Sequence, residues 1–129
     1  MLLEVIRELD KHTVEHVQLH ADAVWYMEYD RRKDRIVVYV QDNIYYMNGS
    51  IKHVEMFLKE EGYRFLEVDR GTLVNADNIV WINLVRKEAF FEPYPTRKSK
   101  RCSIAHHRFL NTVDELHRMN PSLSVTSPA

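Results

Sequence analysis

Two short runs rich in β-branched and aromatic residues, Ala23–Tyr29 (AVWYMEY) and Arg35–Val40 (RIVVYV), flank a connection, Arg31-Arg32-Lys33-Asp34, in which every side chain is charged. Side chains of the first kind fit a pleated, half-buried surface, so each run predicts a strand. Four basic groups within Arg31–Arg35 would be costly to bury, which puts the connection in solvent. The pair thus predicts two strands joined by a projecting basic loop.

The same pattern recurs along the chain. Leu2–Glu8, Asp10–Thr13 and Val14–Leu19 read as strand, turn and strand, although Leu2, Leu3, Val5, Ile6 and Leu9 equally suit a helix. Gln41–Asn43 is a turn and Ile44–Met47 a returning strand. Asn48-Gly49-Ser50 then breaks the pattern. Ser50 is placed to cap a helix that carries Ile51, Val54, Phe57 and Leu58 on one face and closes at Gly62. Short extended runs follow at Phe65–Val68, Ile79–Leu84, Ala89–Glu92 and Lys100–Ile104, then a helical stretch from about His106 to Met119. Asn120–Ala129 holds two prolines and three serines with little to bury, and reads as a frayed tail. The expected fold is mainly β with one packed helix and a C-terminal helix. Residues 1–115 form the domain, and 116–129 the end of the last helix and a flexible tail.

Composition narrows the function classes. The chain has 129 residues, 45% of them hydrophobic, enough for one continuous core. No window approaches the roughly 20 apolar residues of a membrane-spanning helix, and MLLEVIRELD puts acids where a signal peptide has bases and then an apolar run. A cytoplasmic protein without membrane insertion is expected. The three glycines, at 49, 62 and 71, form no phosphate-cradling loop, and no Ser-His-Asp order or paired-carboxylate arrangement occurs. The single cysteine, Cys102, has basic neighbours in Lys98, Lys100 and Arg101, yet its alternating position is that of a strand residue. His12, His16 and His20 would align on a helix but do not converge on a hairpin, so no metal site is expected. The reading is a protein that is not an enzyme and uses no cofactor.

The formal net charge is -1, so there is no global basic excess. Positive charge is instead bunched in Arg31–Arg35, Arg97–Arg101 and His106–Arg108, while the acids are dispersed. Local basic loops are enough to form a footprint for a polyanion.

The stretch from Ser50 to Ile79 resembles the diagnostic half of a LytTR DNA-binding domain: a helix opening at Ser50-Ile51, Leu58 late in it, Phe65, the triplet Asp69-Arg70-Gly71, then Leu73-Val74-Asn75 and Ile79. Upstream, Asp22-Ala23-Val24-Trp25-Tyr26-Met27-Glu28 is similar to the family's Asp-Ile-x-Tyr-Ile-Glu strand. Downstream, Cys102-Ser103-Ile104-Ala105-His106 stands where the family ends a strand in Val-Ser-Arg. The resemblance covers roughly residues 1 to 115. It departs at Asp69 and Gly71, where the family has His and Ser, and at Ala105-His106, where it has Ser-Arg.

That resemblance implies an elongated β-sheet fold whose inter-strand loops enter the major groove, and a bacterial transcription regulator binding direct repeats in promoter DNA as a homodimer on the duplex. The first strand begins near Leu2, so the expectation is a standalone regulator without a receiver domain. Candidate DNA-binding residues are Arg31, Arg32, Lys33, Arg70, Lys98, Lys100, His106, His107 and Arg108. An Arg fork takes either a guanine edge or a phosphate. The histidines and Arg108 open the final helix, whose free N–H groups favour an anion. Leu73, Val74 and Asn75 are assigned to architecture, with Asn75 bonding the turn backbone. The alternative is a protein- or ligand-interaction module with weakened DNA binding, since an acid at Asp69 repels phosphate. For DNA, Arg31, Arg32, Arg70 and Arg108 should share one face.

Overall fold

The computed structural model describes residues 1–127. Eleven strands and two helices follow in the order β1 (Leu2–Glu8), β2 (Val14–His20), β3 (Tyr26–Asp30), β4 (Arg35–Tyr39), β5 (Ile44–Met47), α1 (Ile51–Glu60), β6 (Phe65–Asp69), β7 (Thr72–Asn75), β8 (Trp81–Asn83), β9 (Glu88–Phe90), β10 (Arg101–Ser103), α2 (Phe109–Met119) and β11 (Ser124–Thr126). A seven-stranded sheet has the order β2-β1-β5-β4-β3-β7-β6, and a four-stranded sheet the order β10-β9-β8-β11.

Alternation along the strands assigns each face of the larger sheet to its own core. Leu3, Val5, Met27, Ile36, Val38, Phe65 and Leu73 point to one face, where Ile51 and Leu58 of α1 close over them. Tyr26, Leu66, Val68 and Val74 point to the other, where Ile82, Ala89, Cys102 and Ile104 of the smaller sheet meet Phe109, Val113 and Leu116 of α2. Tyr26 stacks on Tyr39 at 4.3 Å within the larger sheet, and Phe91, just after β9, stacks on Trp25 at 5.2 Å and on Tyr26 at 5.5 Å, which joins the two sheets.

Several expectations are corrected. The strand expected over Ala23–Tyr29 begins only at Tyr26, because Ala21–Ala23 form a 3-10 turn whose Ala21 N–H is held by Met1 O. β7 was not expected: Leu-Val-Asn is too short to show a period, and burial on both faces removes the alternation. Ser50 caps α1 as expected, its Oγ accepting from His53 N at 3.1 Å. Phe57, however, points outward and is 58% exposed, so the packed stripe is Ile51, Val54 and Leu58. The helix expected from His106 starts at Phe109, after a 3-10 turn over His106–Arg108. The packed structure also continues beyond residue 115 and is not a frayed tail. Leu123 is 4% exposed, and β11 pairs in parallel with β8. Its contribution was invisible because only Leu123 and Val125 are apolar there. Residues 128 and 129 of the expected tail lie outside the described residues.

Candidate nucleic-acid interface

Four connections meet at one end of the molecule. In the first, β3 to β4, the acids serve as scaffold: Asp30 Oδ1 accepts from Arg32 N at 3.1 Å and Lys33 N at 3.4 Å, and Tyr29 Oη donates to Asp34. That last bond raises the Tyr29 phenol above its usual pKa. Arg31, Arg32 and Lys33 are left exposed.

The second connection is a two-residue turn between β6 and β7, with Arg70 at its apex. Gly71 takes φ +77°, a left-handed conformation that favours glycine, and its carbonyl accepts from Tyr29 N at 2.9 Å. The departure from Ser to Gly thus has a backbone reason. Asp69 is turned into the same hairpin, where its Oδ1 accepts from Arg70 N at 2.8 Å. The bond orients the carboxylate but does not remove its charge.

The third connection is the 3-10 turn His106–Arg108 leading into α2, and Ala105 N–H fastens it to Val68 O at 2.9 Å. No side chain caps the start of α2, and the preceding 3-10 turn takes up its first N–H, with Phe109 N donating to His106 O. The fourth joins β8 to β9: Asn83 Oδ1 accepts from Val85 N and Arg86 N, and Lys87 lies over the Phe109 ring at 5.1 Å.

These connections are contiguous. Arg31 and Arg70 share one concavity with Lys52 of α1, and Arg70 shares the next with His107 and Arg108. Lys87 and His106 continue it. Arg31, Arg32, Lys33, Arg70, His106, His107 and Arg108 are all exposed, and among the described residues none of them is in an ion pair. Elsewhere several basic groups are engaged, as in Arg7 with Glu15, Arg64 with Asp77, and Arg101 with Glu88, whereas Lys11, Arg97, Lys98 and Arg118 are exposed and in no ion pair among the described residues. Glu67 and Glu115 are the acids lining the concavity beside Arg70 in addition to Asp69.

Lys98 and Lys100 are not part of this group. The Lys100 ammonium donates to the carbonyls of Val40, Gln41 and Asn43 at 2.6, 3.1 and 3.4 Å, at the far end of β4. That is roughly 17 Å of strand from the Arg31 loop, at about 3.4 Å per residue. Lys100 holds a turn, and desolvation there lowers its pKa. Lys98 is exposed at the same far end. Conversely, Lys52, Arg86 and Lys87 belong to the convergent end and were not singled out from the sequence. For Arg86 and Lys87 the available signal was a basic pair between two extended runs; Lys52, in the first turn of α1, carried none.

Other candidates resolve as structural groups. Asn75 is 2% exposed; its Nδ2 donates to Val24 O at 3.0 Å and its Oδ1 accepts from Asp77 N at 3.2 Å. Cys102 is fully enclosed, and burial pushes its thiol far above its ordinary pKa, which leaves it unreactive. His16 and His20 share one face of β2, whereas His12 sits in the hairpin turn. Among the described residues no three His, Cys, Asp or Glu gather as metal ligands, and no helix is long and apolar enough to cross a membrane.

A β-rich module with one helix per core, presenting basic connections at one end, is a recognisable architecture. It aligns with the LytTr DNA-binding domain of a Bacillus cereus protein described as a methyl-accepting/DNA response regulator, at TM-score 0.60 and 14% identity, covering 89% of this chain and 94% of that one. The chain has the LytTR fold. No family model matches the sequence, and no curated protein matches it.

Proposed function

We propose that this protein binds duplex DNA through the four convergent connections and acts as a bacterial transcription regulator, with two copies on promoter direct repeats. The observation that carries the reading is the set of exposed, unpaired cations, Arg31, Arg32, Lys33, Arg70 and Arg108, gathered on one face although the whole chain is slightly acidic. Such a face attracts phosphate, and phosphate contacts fix a protein's orientation on the duplex. The likeness to a solved DNA-binding domain supports it at the level of fold. Lys52 and Arg86 add phosphate donors, whereas Lys98 and Lys100 fall outside the footprint.

About five phosphate contacts predict that log K falls with log salt with a slope of about -4 to -5, a loss of roughly 500-fold between 50 and 200 mM. Fluorescence anisotropy with a labelled duplex reads this directly. A flat response would remove DNA as the partner and leave the interaction-module reading. Replacing Arg31 and Arg32 together by alanine should weaken binding to every duplex by a similar factor and make the salt slope shallower by about 2. A loss confined to one base position would show that the loop reads sequence and does not merely position the protein.

A further inference from the structure

The two outer edges of the larger sheet are finished differently. At β6 the chain covers its own edge: Glu67 N donates to Glu55 Oε2 at 2.9 Å, and Val68 O accepts from Ala105 N at 2.9 Å. β2, at the other end, pairs with β1 alone. It runs for seven residues in unbroken register with β1, and Val14, Glu15, His16, Gln18 and His20 are exposed. It contains no proline, lysine or bulge, the usual devices that stop an edge strand from recruiting another.

The parity of its backbone is fixed at both ends, by the bonds Leu9 N to Thr13 O and Ala21 N to Met1 O. Odd-numbered residues of β2 therefore exchange bonds with β1. The N–H and C=O groups of Val14, His16, Gln18 and His20 face outward.

We propose that this edge is a self-association surface, on which β2 of a second copy adds in antiparallel orientation about a two-fold axis at Val17. The sequence VEHVQLH fits itself in that register. Val14 lies opposite His20 and His16 opposite Gln18, so every outward backbone group finds a partner, roughly eight bonds in all. Glu15 faces Leu19 of the other copy and is already held by Arg7, so no like charges stand directly opposite. The matched outward backbone groups, with no like charges set opposite one another, are what favour a second copy over an unrelated strand of arbitrary charge. The contact is small, so association belongs to the micromolar range or weaker. It is separated from the basic connections by β1 and β5 and does not depend on the DNA-binding reading.

Sedimentation equilibrium from about 10 μM to 1 mM should show the mass rising towards that of two chains. Hydrogen exchange provides the residue-level test: at high concentration the amides of His16, Gln18 and His20 should slow at least about tenfold, while those of Glu15, Val17 and Leu19, bonded to β1, should not change. Gln18→Pro removes an outward N–H at a position where β1 pairing is untouched, and should give a single-chain mass. His16→Lys keeps the backbone donor but sets two ammonium groups diagonally across the axis, and should do the same, so a folding defect in Gln18→Pro does not decide the matter. Duplex affinity measured on the dilute single chain should be equal for wild type and His16→Lys. A single-chain mass for the wild type throughout, an assembly with unslowed even-numbered amides, or one that survives His16→Lys would overturn the proposal.

Discussion

Arg70→Ala is expected to lower affinity for the cognate duplex by about 10- to 100-fold while changing affinity for random duplex far less. Arg70 occupies the apex of a two-residue turn, is exposed and has no ion-pair partner among the described residues. Its turn is fixed from three sides: Gly71 O holds Tyr29 N, Asp69 Oδ1 holds Arg70 N, and Glu67 Oε2 accepts from Gly71 N at 3.3 Å. The backbone beneath the fork is already fixed, so only the Arg70 side chain has to be ordered on binding, and a bidentate contact to guanine discriminates by about 1 to 3 kcal/mol. Arg70→Lys should recover only part of the loss, since an ammonium keeps the charge without the planar fork. The measurement is a competition assay with cognate sites selected from a random duplex pool, run beside thermal unfolding. Folding should be unchanged because no packing is lost. Normal cognate binding by Arg70→Ala would take base readout away from this turn, and an equal loss on all duplexes would make Arg70 a phosphate contact.

The largest effect on stability is expected at Phe65. It is fully buried at the start of β6 and makes an edge contact with the Tyr63 ring at 6.5 Å, within the cluster that α1 closes with Leu58 and Ile51. Phe65→Ala should destabilise by about 3 to 5 kcal/mol, from lost transfer energy and the cavity left behind. Urea unfolding followed by circular dichroism checks this. A loss under about 1 kcal/mol would mean that α1 is held by Leu58 and Ile51 alone. A destabilised Phe65→Ala protein is also expected to bind duplex more weakly, by a different route from Arg70→Ala: α1 carries Lys52 beside Arg31 and Arg70, so loosening the helix loosens one wall of the candidate interface.

Much of this was legible in the residues. β1, β4 and β5 are visible as short apolar or alternating runs bounded by turn residues, because one face of each packs against a core and the other meets solvent or polar groups. α1 was marked by its Ser50 cap and its closure at Gly62, both local in sequence. β7 and β11 were not legible. Thr72–Asn75 is buried throughout, which leaves no period to read, and Ser124–Thr126 owes its strand to pairing with β8, some 40 residues earlier.

The candidate site divides in the same way. Exposure of Arg31, Arg32 and Lys33 followed from charge density alone, since burying so many cations without partners is prohibitive. Which basic groups act together was decided by the tertiary structure. Lys98 and Lys100 have the same composition as the Arg31 loop, but the β9–β10 connection carries them to the other end of β4, where three carbonyls take up the Lys100 ammonium. Arg70 and Arg108 are far apart in the chain and become neighbours because Ala105 N bonds Val68 O. Amino-acid type determines the cost of burying a side chain, so the sequence by itself determined what must face water and where the short-range turns fall. Proximity across strands depends on register and connection path, and only the folded chain decides which exposed charges add up to one field.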